Sequence, residues 1–168
     1  MLRFTDRRFR ARTVCALLFV SAVLSLVLIS CKKKASPYGL MIEFCQSYGI
    51  EDTVFSPSLD EGDTGYAEDG FFELLFDEKP HSVSDYAIVF LSSLDYAGEC
   101  AVLLCYSESD ALMTLELMQM RIDLIRSMAT GIDVSSTDDA RVFKSGKYVV
   151  MCALPDNDRA ERIWRKIL

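Results

Sequence analysis

The side chains best suited to acid–base or ligand chemistry are concentrated in one acidic stretch, "LDEGDTGYAEDG". Asp60, Glu61, Asp63, Glu68 and Asp69 are hard oxygen donors of the kind Ca²⁺ accepts. Paired carboxylates can also serve as general acid and base. The spacing departs from the D-x-[DN]-x-[DN]-G calcium loop with its glutamate at the twelfth position. Two expectations therefore stand side by side: ion ligation through Asp60, Asp63, Glu68 and Asp69, or a solvated, mobile acidic loop. The single histidine, His81, follows Pro80 in a polar segment and reads as an exposed loop residue. No G-x-S-x-G, H-E-x-x-H, P-loop or G-x-G-x-x-G motif occurs, so no assembled catalytic set is written into the chain.

The six cysteines sort by position. Cys15 lies in an apolar run and Cys31 at its end, which leaves Cys45, Cys100, Cys105 and Cys152. None forms a CxxC pair or stands at metal-ligand spacing from His81, which argues against zinc. All four lie in apolar stretches, as buried free thiols do. A disulfide remains the alternative, with Cys105 and Cys152 the first pairing to check. Cys100 and Cys105 are five apart, so a regular strand sends them to opposite faces.

Charge divides the chain. Residues 1–30 carry five arginines and one acid; the remaining 13 basic and 24 acidic residues leave 31–168 at a net −11. Such a body repels nucleic acid, and no nucleic-acid partner is expected. The basic "MLRFTDRRFRAR" followed by apolar residues Val14 to Ile29 has the layout of a signal peptide. An uncleaved membrane anchor with arginines on the cytoplasmic side is the alternative. Leu28-Ile29-Ser30-Cys31 resembles the lipobox of bacterial lipoproteins. That resemblance implies peptidase recognition through Leu28, Ile29 and Ser30. It also implies a diacylglyceryl group on Cys31, which becomes the first residue of the mature chain. Two acyl chains anchor stably where one holds marginally. Lys32, Lys33 and Lys34 would then sit at the membrane surface, each able to gain about 1 kcal/mol from anionic headgroups.

These readings divide the chain into a lipoprotein signal peptide (1–30), a lipidated cysteine with a short basic linker (31–37), and one domain (38–168). In the domain, "PYGLMIEFCQSYGI" has the spacing of an amphipathic helix ended by Gly49. The acidic stretch after it reads as loop, with a short helix or strand at "FFELLF". "DYAIVFLSS" and "GECAVLLCYS" read as two strands of a hairpin, the first apolar enough to be covered on both faces or central in its sheet. Ser107 or Ser109 opens a long helix with an apolar arc of Leu112, Met113, Leu115, Leu117, Met118, Met120, Ile122, Leu124, Ile125 and Met128. That arc is wider than one sheet contact needs, so the helix is expected between the sheet and the N-terminal helix. "ARVFKSGKYVVMCAL" predicts a hairpin turning at Ser145-Gly146. A final helix opened by Pro155 and Asp156 follows, with Ala160, Ile163, Trp164 and Ile167 on its apolar face. The order ββα-ββα gives an α+β, two-layer fold: a four-stranded, largely antiparallel sheet with helices on one face plus the N-terminal helix.

Across residues 38–154 the chain resembles a family of small, uncharacterised lipoproteins of Gram-positive bacteria, a domain of unknown function. The residues that carry the resemblance are an acid opening an apolar strand (Glu99), an arginine in the following helix (Arg121), and a Gly-aromatic-apolar strand (Gly146, Tyr148, Val149, Val150). It implies location at the outer face of the cytoplasmic membrane and brings no activity. The reading favoured is a non-enzymatic binding or accessory module of the cell envelope, without cofactor, anchored by its lipid and partnered by another envelope protein. An envelope hydrolase using the acidic-loop carboxylates and a small-ligand-sensing lipoprotein are the alternatives.

Overall fold

The computed structural model describes residues 35–68, 70–76, 81–91, 98–128 and 133–168. Residues 1–34 lie outside that set, and with them Cys31, the Leu28–Ser30 recognition residues and the three lysines. Among the described residues no helix is long and apolar enough to cross a membrane.

Residues from Ser36 onward form one compact unit. Helix α1 (Pro37–Tyr48) starts where Ser36 Oγ accepts from Gly39 N at 3.1 Å and proline occupies the first helical position. It stops at Gly49, whose φ of 90° is the left-handed conformation glycine adopts without a Cβ penalty. Strand β1 (Val54–Phe55) and the six-residue helix α2 (Phe71–Phe76) follow, then β2 (Val83–Phe90) and β3 (Glu99–Cys105). Helix α3 (Glu108–Met128) is opened by Ser107, whose hydroxyl accepts from Asp110 N at 3.1 Å. A 3₁₀ turn (Ser135–Thr137), the hairpin β4 (Arg141–Ser145) and β5 (Tyr148–Ala153), and helix α4 (Asn157–Ile167) complete the unit. Asp156 caps α4, its carboxylate accepting from Arg159 N at 2.8 Å.

The sheet is antiparallel throughout, in the order β1-β2-β3-β5-β4. Among the described residues it has five strands, not four, because Val54 and Phe55 pair with Val89 and Ile88. Two residues are too few for a period-2 pattern to show. The ββα-ββα order holds from β2 onward; α1, β1 and α2 precede it.

Helices cover both faces of the sheet, which corrects the expected two-layer arrangement. On one face Leu40, Met41, Phe44 and Cys45 of α1 and Ala160 and Trp164 of α4 pack on Ala87, Val89, Cys100, Val102, Val150 and Cys152. Phe44 stacks on Trp164 with ring centroids 4.7 Å apart. On the other face Ala111, Met118 and Ile122 of α3, with Phe72 of α2, pack on Tyr86, Ile88, Ala101, Leu103, Val149 and Met151. The alternation of side chains along β3 and β5 therefore feeds two cores. It also overturns the expected partnership of α1 with α3, since the sheet lies between them. The β4–β5 turn is shifted by one residue as well. Ser145 pairs with Tyr148, so Gly146 and Lys147 are its central residues, with Gly146 at φ 57°.

Candidate functional site

Glu99 opens β3 on the α3 side of the sheet, and its side chain is 5% exposed. Arg121, on α3, meets it through a forked contact: Nε lies 3.1 Å from each carboxylate oxygen and Nη2 donates to Oε2 at 2.8 Å. The remaining arm, Nη1, donates to the carbonyl of Leu75 at 2.9 Å. That carbonyl belongs to the last turn of α2, where helix carbonyls lack intrahelical partners. One guanidinium thus joins β3, α3 and the C-terminal end of α2. Burial pushes the Glu99 carboxyl up, against the hydrogen bonds and positive charge of Arg121, which hold it down.

Beside this pair a groove of about 340 Å³ opens between α2 and α3, lined by Leu75, Leu117, Met120, Arg121, Asp123, Leu124 and Ser127. It continues an apolar stripe along α3. Met113, Leu117, Met120 and Leu124 recur at steps of four, three and four, which place them in one line on a helix. Met113 is 60% and Met120 67% exposed. Leu112 and Tyr106 are exposed as well. The wide apolar arc seen in the sequence is therefore real, but its outer part faces outward rather than against α1. Glu116 and Asp123 run along one flank of the stripe, both exposed, and Arg126 pairs with Asp123 at 3.0 Å.

The acidic stretch is brought onto the edge of the sheet without converging. Ser56 N donates to Gly65 O at 2.9 Å and Ala67 N to Ser56 O at 3.1 Å, so the segment between them closes as a hydrogen-bonded loop. Asp60, Asp63 and Glu68 point into solvent, and Asp69 lies outside the described residues. Among the described residues no group of three or more His, Cys, Asp or Glu side chains could hold a metal ion. His81 is exposed, as its position after Pro80 predicted.

Scans against protein-family models, curated proteins and solved structures found no match.

Cys45, Cys100, Cys105 and Cys152 are all buried and unbridged. Burial pushes the Cys45 thiol up to about 12 and raises Cys100 and Cys105 as well, so none of these three is a poised nucleophile. The free-thiol expectation thus holds in this structure, and Cys105 and Cys152, the first pairing to check for a bridge, fall on opposite faces of the sheet. Cys152 instead lies directly across from Cys100. The sequence missed that relationship because the register of β3 against β5, whose ends are joined through a long helix, has no local signal.

Proposed function

We propose that this chain is a lipid-anchored extracytoplasmic protein whose domain is a non-enzymatic binding module, and that the α2–α3 groove is its docking surface. The observation that carries the binding role is the apolar line Met113-Leu117-Met120-Leu124 along the groove, with Met113, Met120 and Leu124 exposed, Leu117 half-buried, and Glu116 and Asp123 on its rim. Steps of four and three suit the apolar face of a second helix. Methionine's unbranched thioether adapts to such a surface. Charge selects the occupant: residues 35–168 hold 10 basic and 24 acidic residues, a net −14. The fitting partner is a basic amphipathic helix, its apolar residues in the groove and its lysines or arginines against Glu116 and Asp123. A second copy docked by the same face fits less well, because an isologous contact brings these carboxylates together. The leader, the Cys31 lipobox and the three lysines support the anchored location.

The full-length protein in detergent should bind a synthetic 20-residue helix with leucines at the a and d positions and lysines on its flanks. Fluorescence anisotropy should show affinity that weakens as salt rises. Met120→Ser with Leu124→Ser, both exposed positions, should weaken binding about tenfold or more. Equal binding of a scrambled peptide of the same composition would sink the groove as a helix site. So would wild-type affinity in the double variant, or sedimentation showing a dimer that the same substitutions dissolve.

A further inference from the structure

Cys100 and Cys152 face each other across β3 and β5 with their sulfurs 3.7 Å apart. The kind of pair they form follows from the ladder. Cys105 N donates to Lys147 O at 2.9 Å, which makes the Cys105–Lys147 step a hydrogen-bonded pair. Antiparallel pairs alternate along a ladder, and Cys100–Cys152 is five steps away in unbroken register. It is therefore a non-hydrogen-bonded pair, the type whose Cα atoms stand about 4.5 Å apart with side chains closest together. That separation lies within the roughly 4.4–6.8 Å that a disulfide spans. Both thiols sit on the α1–α4 face and neither is exposed.

We infer that Cys100 and Cys152 are a disulfide-forming pair that locks β3 to β5. A glutathione-type disulfide supplies the oxidant. One cysteine thiolate attacks the oxidant's disulfide, forming a mixed disulfide and expelling one glutathione thiolate. The second cysteine, deprotonated, attacks the protein sulfur of that intermediate and expels the other. Two protein thiols become one S–S bond, the oxidant leaves as two thiols, and the protein's two protons end on them. Because the pair is fully buried in the folded chain, the exchange belongs to folding, before the α1–α4 core closes. The pairing stands on the sheet register, and its oxidation rests on the extracytoplasmic address proposed above, since a reducing compartment would keep both thiols free.

The nearest competitor is Cys45, on α1 in the same core and close enough for Cys100 to help raise its pKa. A local reporter is also present: Trp164, the chain's single tryptophan, is buried in the same core cluster as Cys100 and Cys152. A disulfide beside the indole should quench its emission.

The test refolds the full-length chain in detergent from denaturant, in buffers of graded oxidised-to-reduced glutathione. Each sample is acid-quenched, unfolded and alkylated, and its peptides are mapped by mass. The expected result is one linked peptide pair holding Cys100 and Cys152, with Cys45 and Cys105 alkylated. Trp164 emission should fall in the bridged protein and return with dithiothreitol. Reduction should lower Tm by on the order of 10 °C in the wild type, and by nothing in Cys100→Ala. Recovery of Cys100 and Cys152 both alkylated from fully oxidised glutathione would overturn the inference, as would a bridge from either to Cys45.

Discussion

The Arg121 guanidinium and the Glu99 carboxylate meet at 2.8 Å in a contact that is 92% or more removed from solvent on both sides. This is the one buried ion pair among the described residues, and it ties the two α3-side helices to the central strand. Desolvating two charges is expensive, so such a pair contributes little net stability; removing one partner is another matter. Glu99→Ala should cost about 3–5 kcal/mol in urea unfolding, because it removes one side of a buried, hydrogen-bonded ion pair. Glu99→Gln with Arg121→Met, which removes both charges at similar volume, should recover most of that loss. A double variant as unstable as Glu99→Ala would show that the contact acts through packing rather than charge.

Gly65 shows how the acidic loop is held to the sheet. Its φ is +91°, and a Cβ there would fall 2.1 Å from the Val54 carbonyl oxygen. Gly65→Ala should therefore destabilise by roughly 3 kcal/mol, combining backbone strain with a steric clash at β1. Gly62 also has a positive φ, at 99°, but open space around it, so Gly62→Ala should cost clearly less. Equal losses at the two positions would mean that the approach of Gly65 to β1 is unimportant.

The buried thiols predict a decline in stability at alkaline pH. Cys45 has its native pKa raised to about 12 by burial, while in the unfolded chain a thiol ionises near 8.5. Between those values the native state holds a proton that the unfolded state has released, so stability falls as pH rises. The contribution is intact below about 8.5 and lost progressively up to about 12. Cys45→Ala removes this term, at the cost of a small core cavity. The stability gap between wild type and Cys45→Ala should thus narrow from pH 8 to pH 11. A pH-independent gap in paired denaturant titrations would count against the native thiol staying neutral.

Much of the architecture was legible because its signals are local. Gly49, Ser107 and Asp156 mark helix ends by chemistry confined to a single turn, and each stands where the sequence offered it, Ser107 as one of two candidates; Ser36 caps α1 by the same local chemistry and was not read as a cap. The two-sided burial of β2 was legible too, from the continuous run "DYAIVF", and "ECAVLLC" carries the same signal for β3. Taken at face value, those runs demand helices on both faces, and the two-layer expectation did not follow them that far. What could not be read is non-local. Two-residue β1 is defined by its partner rather than its own pattern. The Cys100–Cys152 pairing depends on a register set across 52 positions. The groove lies between α2 and α3, and Met113 and Met120 stand exposed where sequence spacing implied a helix neighbour.

Cys31 decides the address. If the lipobox reading holds, the wild-type chain loses residues 1–30 and carries a diacylglyceryl thioether on Cys31. Its intact mass should then correspond to residues 31–168 plus the lipid, and it should partition into the detergent phase. Cys31→Ala has no thiol to acylate, and a lipoprotein peptidase acting only on the lipidated cysteine would leave it uncleaved. Its mass should be that of the unmodified full chain. Lys32, Lys33 and Lys34 separate the two contributions to membrane attachment. Changing all three to Gln should weaken binding of the lipidated protein to vesicles containing anionic lipid, most at low salt, while leaving binding to neutral vesicles unchanged. Wild-type protein recovered at full unmodified mass from the membrane fraction would replace the lipid anchor by an uncleaved apolar one, with the Arg3–Arg12 segment on the cytoplasmic side.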